Sequence, residues 1–355
     1  MNVLCVNAGS STLKLALFDG ERRLSQAQVP GNGAPALEAA LAQLGAISPD
    51  AAGHRLVHGG PVHHQPVRLD AALIASLRGI SRFAPLHLPP ALDAVEAIGS
   101  RFPALPQIAC FDTHFHWRLP ERARRLPLPE SLHAEGVRRY GFHGLSYEFI
   151  VSELGRQLGR RAVIAHLGNG ASLAALEDGK CVDTTMAFTP ASGVVMSTRP
   201  GDLDPGVLLY LMTKGAGAAE IQRLIDRECG LLGISGLSSD MKTLLEQRKR
   251  DPRAELAVEI FMYSCRKAIG AFAAALGGLD TLVLTGGIGE NSPEVRAGIC
   301  AGLEHLGLAL DEAANRSGRT SISAAGARCA AYVIRTDEDR IIARHARELL
   351  RSASA

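Results

Sequence analysis

Residues 3–20 read Val3-Leu-Cys-Val-Asn-Ala-Gly-Ser-Ser-Thr-Leu-Lys-Leu-Ala-Leu-Phe-Asp-Gly20: an apolar strand, a turn of small residues, a second strand and an Asp-Gly turn. The pattern returns 159 positions later as Ala162-Val-Ile-Ala-His-Leu-Gly-Asn-Gly-Ala-Ser-Leu-Ala-Ala-Leu-Glu-Asp-Gly179. Gly9 falls on Gly168, Ala16 on Ala175, Leu17 on Leu176, and Asp19-Gly20 on Asp178-Gly179. Each copy reads as a β-hairpin whose Gly/Ser tip lets backbone come close to a bound group. A repeat spaced at nearly half the chain implies two similar halves.

Strands and helices alternate between and after the hairpins. Pro106–Phe111 reads as a short apolar strand, and helices are expected over about 90–98 and 145–158. Asp251-Pro252 opens a long helix through Ala275, with Asp as N-cap, Pro at the first helical position and Gly277-Gly278 at the stop. Asp280–Thr285 is a buried strand that runs into Gly286-Gly-Ile-Gly289, and Ser292-Pro293 starts another helix. Ala330–Ile334 is the last strand and residues 337–350 the last helix. This alternation predicts an α/β chain of two domains with mostly parallel sheets facing a cleft. The expected division is 1–145 together with 341–355, and 146–340, with a close hinge because no low-complexity linker intervenes.

The 355 residues suffice for two ordinary domains, and 46% hydrophobic with 21% charged residues excludes a disordered chain. A net charge of +2 is too balanced for a surface that binds nucleic acid over the whole molecule. Thirty-two of the 38 basic residues are arginine, the better bidentate partner for carboxylate and phosphate. No apolar run reaches the roughly 18–20 residues of a membrane span. The N-terminus reads as a strand, not a signal peptide, and seven cysteines without a CxxC pair fit a reducing cytoplasm.

A Walker A loop is absent, and no complete GxGxxG follows a strand. Three other strand-to-glycine turns stand out instead: Asn7–Thr12, His166–Gly170 and Gly286–Asn291. Exposed backbone N–H groups at such turns suit phosphate oxygens, and three turns together point to a nucleotide between two similar domains.

Seven segments then carry a resemblance. Asn7-Ala-Gly-Ser-Ser11, Gly53-His-Arg-Leu-Val-His-Gly-Gly60, Phe111-Asp-Thr-His-Phe-His116, Arg139-Tyr-Gly-Phe-His-Gly144, His166-Leu-Gly-Asn-Gly170, Ser197-Thr-Arg-Pro-Gly-Asp-Leu-Asp-Pro205 and Gly287-Ile-Gly-Glu-Asn291 stand in collinear order. Together they resemble the acetate kinase family, within the superfamily of acetate and sugar kinases and actin-like ATPases. The resemblance implies two duplicated actin-like, ribonuclease H-like domains facing a nucleotide cleft. It also implies Mg²⁺- or Mn²⁺-dependent, reversible transfer of the ATP γ-phosphoryl group to acetate, giving acetyl phosphate and ADP. Alternatives are a kinase for another short-chain acid, such as propionate or butyrate, and an actin-like nucleotide switch without kinase activity. The expected partners are small molecules and a second copy of the chain, in the cytoplasm.

Site residues follow from the matched motifs. Arg55, Asp112, His143 and Arg199 match catalytic positions, with Arg55 also on the acid substrate. Val57, Leu86, Phe142 and Pro190 match the acyl pocket, and His87 a secondary active-site histidine. Lys14, His166, Leu167, Gly168, Asn169 and Gly170 match positions around the nucleotide phosphates. Asp240, Met241, Lys242, Gly287, Ile288, Gly289 and Asn291 match positions nearer the nucleoside. Asn7 and Glu338 match positions around the metal. Two of these have a second reading from the residues alone: His143 as a core histidine, and Glu338 as an acid favoured at a helix start. The His54, His58, His63 and His64 group and the His114 and His116 pair lack transition-metal spacing and are not expected to be ligands.

The chain also departs from the family pattern. Residues 20–54 are several tens shorter than usual, Tyr147 stands where a histidine is usual, Asp337 where an asparagine is, and Lys242 where an arginine is. Pro200 replaces a small polar or thiol residue.

Overall fold

The structure, a computed structural model, describes residues 1–9 and 12–353. Ser10 and Ser11 of the first turn lie outside them. Eleven strands form two sheets among the described residues: β1 (Asn2–Ala8), β2 (Thr12–Asp19), β3 (Arg22–Pro30), β4 (Ala51–Leu56), β5 (Val67–Arg68), β6 (Gln107–Phe111), β7 (Arg161–Leu167), β8 (Ala171–Glu177), β9 (Lys180–Thr184), β10 (Thr281–Thr285) and β11 (Ala330–Val333). The first sheet has the order β3-β2-β1-β4-β6-β5 and the second β11-β10-β7-β8-β9.

Both hairpins form, with Cys5 opposite Ala16 and Ile164 opposite Ala174, so the second pairs one residue out of the register that the 159-position offset predicts. Each hairpin gains a third antiparallel strand that the repeat itself did not reveal, β3 and β9, after a bulge at Leu17/Phe18 and at Ala175/Leu176. Parallel strands are added only on the other side, β4 beside β1 and β6 beside β4, and β10 beside β7 and β11 beside β10. Both sheets are therefore mixed, which corrects the expectation of mostly parallel sheets. An Asp-Gly turn returns the chain antiparallel, whereas parallel pairing needs a helical crossover.

The period-2 alternation of the strands sorts their side chains between cores. Leu4 and Val6 of β1 pack with the Ala34–Leu44 helix, while Val3 and Cys5 face the other way. Their repeat-related positions Ala162 and Ile164 fall in the same cluster as Val3 and Cys5. The equivalent faces of the two sheets thus share one core. Helices Gly144–Leu154 and Glu338–Ala353 fill it through Leu145, Tyr147, Ile150, Ile341 and Ile342. The last helix, although it ends the chain, packs on β1, β4 and β6.

The remaining expected elements are present. The long helix spans Pro252–Leu276, capped by Asp251, whose side chain accepts from the Arg253 N–H, and closed by Gly277 in the left-handed region. The glycine-rich segment after β10 is not an open loop: Gly286–Asn291 is a short helix, followed by Pro293–Cys300. Gly286 has φ +77°, and a Cβ there would sit 2.8 Å from the Leu167 carbonyl oxygen. Only glycine lets this turn lie against the end of β7.

Candidate active site

Asn7, Arg55, Asp112 and His166 come from the C-terminal ends of β1, β4, β6 and β7, where open α/β sheets place ligands, whereas His143 starts a helix and Arg199 lies in a loop. Arg55 is next to last in β4, and Asp112 directly follows β6, its N–H bonded to the Leu56 carbonyl at 2.9 Å. Arg55 donates from Nε to both Asp112 oxygens (3.1 and 3.0 Å) and from Nη2 to Oδ2 at 2.7 Å. Its Nη1 donates to Asn7 Oδ1 at 3.3 Å, and Glu338 Oε2 lies 3.6 Å from Nε. Burial pushes the Asp112 carboxyl up and Arg55 opposes it, while Asp112 and Glu338 hold the guanidinium above its ordinary value. The pair stays ionised as a fork-to-fork contact. The carboxylate is 1% exposed and largely taken up by Arg55, so Asp112 acts on a ligand by aiming the arginine.

The acidic start of the last helix surrounds the same corner. Burial, with Glu338 and Asp337 adding repulsion, pushes Asp339 up to about 6. Asp337 forms an ion pair with Arg23 at 2.5 Å, so the charge added by this departure is neutralised locally. Lys14 sits opposite Asn7 in the hairpin and attracts Asp339. An amide oxygen, a half-buried carboxylate and a nearby acid form an oxygen donor set that suits a hard cation such as Mg²⁺.

A different chemistry occupies the other side. His143 caps the 144–154 helix with φ 59°, a left-handed conformation unusual for a side chain. Gly144 holds it there: its N–H donates to the Asp112 carbonyl at 2.9 Å, and a Cβ would lie 2.2 Å from that oxygen. The imidazole stacks on His166 with centroids 4.2 Å apart. Burial drives both rings down, His166 to about 4 and His143 well below the ordinary histidine range, with His166, Arg55 and Arg199 repelling a charge on His143. Both are neutral at pH 7.

A chain of hydrogen bonds reaches His143 Nδ1. Tyr147 is fully buried, and its hydroxyl lies 2.5 Å from Ser172 Oγ. Ser172 Oγ lies in turn 2.8 Å from His143 Nδ1. With the tyrosine as donor to Ser172, the serine has its own proton to donate to Nδ1, the arrangement that puts the imidazole proton on Nε2. That Nε2 faces the backbone of Gly170, 3.4 Å from where a Cβ would be, and Arg199 Nη1 lies 3.5 Å from the same point.

Arg199 is held by neutral groups. Nη1 donates to the Pro190 carbonyl at 2.9 Å and Nη2 to His87 Nε2 at 3.4 Å. It forms no ion pair among the described residues, and Asp226 attracts it only at longer range against the cost of burial. Burial and the charge of Arg199 push His87 down to about 3, which keeps its nitrogen an acceptor.

Arg199, His87, Leu86 and Pro190 line one cavity of about 430 Å³ with Leu208, Met212, Ile221 and Ile225. Val57 and Phe142 lie in the main core and not on that cavity's wall. Around the expected nucleotide region, Leu167 is buried, and Gly168 closes a turn on the Gly170 carbonyl. Asn169 is exposed, and its carbonyl accepts from the Ser197 N–H. Gly287 has open space around it, Ile288 packs on the core, and Asn291 donates to the Gly287 carbonyl at 2.9 Å. Gly289 is buried against Leu167. Asp240 caps the Met241–Gln247 helix through Thr243, Met241 is buried, and Lys242 is exposed.

Two participants escaped the sequence reading. Ser172, a lone polar residue in the apolar run Ala171–Leu176, orients His143; that isolation was the available signal. Ser146 bonds His166 Nδ1 at 2.9 Å, and a serine in a helix's first turn gives no such signal.

The model of the acetokinase family matches residues 34–344. Acetate kinase of Rhodopseudomonas palustris is 50% identical over 303 residues, 83% of this chain and 76% of the relative. Acetate kinase of Nitrobacter hamburgensis is 42% identical over 395 aligned positions, 100% of this chain and 97% of the relative. The chain superposes on the crystal structure of Porphyromonas gingivalis acetate kinase with TM-score 0.89 at 36% identity, covering 98% and 99% of the two chains. A propionate kinase from Francisella tularensis gives 0.89 at 30% identity and the same coverage. By fold, by site geometry and by these matches along its length, the chain belongs to the acetokinase family.

Proposed function

We propose that the chain transfers the γ-phosphoryl group of ATP to acetate, giving acetyl phosphate and ADP, and also catalyses the reverse reaction. The observation that carries this reading is Arg199: a guanidinium held by two neutral acceptors, beside two neutral histidines, at the edge of an apolar cavity. A cation that no carboxylate touches among the described residues is completed by an anionic ligand. The transition state of phosphoryl transfer spreads negative charge over equatorial oxygens, so catalysis is mainly positioning and charge neutralisation.

Arg55, aimed by Asp112, has N–H groups left over for the acid's carboxylate or the group being transferred. Arg199 and the Nε2–H of His143 converge beside Gly170 and donate to the phosphoryl oxygens. Leu86 and Pro190 exclude water around the acid's methyl group, and closure of the two halves would complete that exclusion. Asn7 and Glu338 would hold Mg²⁺ or Mn²⁺, directly or through water, and the ion when bound neutralises charge on the nucleotide phosphates. Backbone at Gly168–Gly170 and Gly287 offers close approach to the nucleotide. The exposed apolar side chains Leu209, Tyr210 and Met212 of the Pro205–Thr213 helix suit a homodimer contact. The seven unpaired cysteines fit the cytoplasm.

The test is to incubate the protein with ATP, Mg²⁺ and acetate and trap acyl phosphate with hydroxylamine. Acetohydroxamate that depends on ATP and acetate is expected. Its absence with every C2–C4 acid contradicts the reading, and ATP turnover independent of acid would favour a nucleotide switch. The size of the cavity favours one second reading, a larger short-chain acid. One methylene in an apolar pocket is worth only about 1–3 kcal/mol, so kcat/KM across acetate, propionate and butyrate decides it.

A further inference from the structure

The His114, Glu148 and His345 side chains meet at a place the phosphoryl-transfer reading does not use. Their ligand atoms all lie within 4.8 Å of one another. His345 Nε2 is 2.8 Å from Glu148 Oε1, and the His114 and His345 rings stand edge to face with centroids 5.4 Å apart. The three residues are 34 and 197 positions apart in the chain, so only the fold assembles them.

One further observation points to an added ligand. The His114 Nδ1 lies 2.6 Å from the His64 carbonyl oxygen. A carbonyl only accepts, so Nδ1 carries the proton and Nε2 presents a lone pair. Metal-binding histidines are usually oriented by such a bond from the other ring nitrogen. His345 is 5% exposed, so its Nε2 meets Glu148 largely out of water.

We propose that His114, Glu148 and His345 bind a divalent transition-metal ion of the zinc type, separate from the magnesium expected in the phosphate cleft. Two imidazoles and one carboxylate are the donor set of three-coordinate protein zinc sites, with water in the fourth position. Bonds of about 2.0–2.2 Å need only a modest contraction of the present spacing. Hard Mg²⁺ prefers all-oxygen ligands and does not compete well here.

The consequence is mechanical. His114 follows Asp112 by two residues, Glu148 lies one turn beyond His143, and His345 lies two turns beyond Glu338. An ion held by the three would pin together the strand end and the two helices that carry the active-site groups.

The test titrates Zn²⁺ into the full-length, chelator-treated protein in excess Mg²⁺, competing against a chromophoric chelator, with the thermal midpoint as second readout. One Zn²⁺ per chain and a higher midpoint are expected. His114→Ala, Glu148→Gln and His345→Gln should each weaken binding by about 100-fold and abolish the midpoint shift. Should buried His345→Gln fail to fold, the half-buried positions 114 and 148 decide alone. No Zn²⁺ binding by the wild type, or the same affinity in His114→Ala and Glu148→Gln, overturns the proposal. The readout is metal binding, so its failure leaves the acyl-phosphate assay untouched.

Discussion

The two arginines of the site illustrate opposite ways of placing a cation. Arg55 is paired: its Nε and Nη2 make three contacts with Asp112, Nη1 makes one with Asn7, and Glu338 lies 3.6 Å away, which leaves one N–H on each terminal nitrogen for a ligand. Arg199 has a carbonyl, a neutral imidazole and, at 3.9 Å, the Met196 sulfur. The first belongs to the fold's own charge balance as much as to its chemistry. The second has no ion pair among the described residues, and removing it costs only the longer-range attraction of the half-buried Asp226. The difference separates what keeps the site standing from what awaits a ligand.

Substitutions should pull these roles apart. Arg199→Ala is expected to lower kcat on the order of 10³–10⁵, the worth of a charge-stabilising arginine in phosphoryl transfer, with the urea unfolding midpoint almost unchanged. Arg55→Ala should also lose activity but in addition destabilise by about 3–5 kcal/mol, because the Asp112 carboxylate is left buried and alone. Equal stability losses in the two variants would erase the comparison.

Acid sharpens it further. His54, His116 and His166 are held at about 4 and His58 and His87 at about 3, with burial the main cause in each. Folded values below the unfolded one mean that the unfolded chain binds the protons first. Stability is therefore complete above about pH 6.5 and is lost as pH falls toward 4, by about 1.4 kcal/mol per pH unit for each histidine. Thermal midpoints should be flat from pH 7 to 8 and drop steeply below 6. A flat profile down to pH 5 would mean that these rings take up protons in the folded state.

The hairpins, the caps and the His166–Gly170 turn were legible because each rests on local residue chemistry, whereas Gly286–Asn291 coils into a short helix. The long helix began at Pro252 and ended before Gly277 as Asp251-Pro252 and Gly277-Gly278 required. Strands β3 and β9 were not legible. Arg22–Pro30 is polar on its exposed face, Lys180–Thr184 is short, and pairing with a neighbour defines both. The side chains that the fold gathers at the candidate site were picked out through motif resemblance, but their contacts with one another were not. That Asp112 serves Arg55, or that Arg23 absorbs Asp337, depends on contacts across 57 and 314 positions. His114 shows the same limit, since its spacing to His116 gave no hint of Glu148 and His345.

Smaller effects probe the histidine side. Tyr147→Phe keeps the buried ring but removes the donor to Ser172, freeing the serine proton from its task of fixing Nε2–H on His143. A loss of about fivefold in kcat with KM for ATP unchanged is expected, equal to about 1 kcal/mol for one hydrogen bond. An unchanged kcat would show that the Ser172 proton needs no tyrosine. Asp240→Ala is expected to do least, costing about 1 kcal/mol of helix capping. A larger rise in KM for ATP than that loss of stability explains would place Asp240 on the nucleotide.

The most direct measurement is a crystal structure with a nonhydrolysable ATP analogue, Mg²⁺ and acetate. The account predicts the terminal phosphate within hydrogen-bond distance of Arg199 and of His143 Nε2, with the Arg55–Asp112 pair intact. A terminal phosphate bound away from Arg199 and His143, with both side chains unchanged, would contradict it.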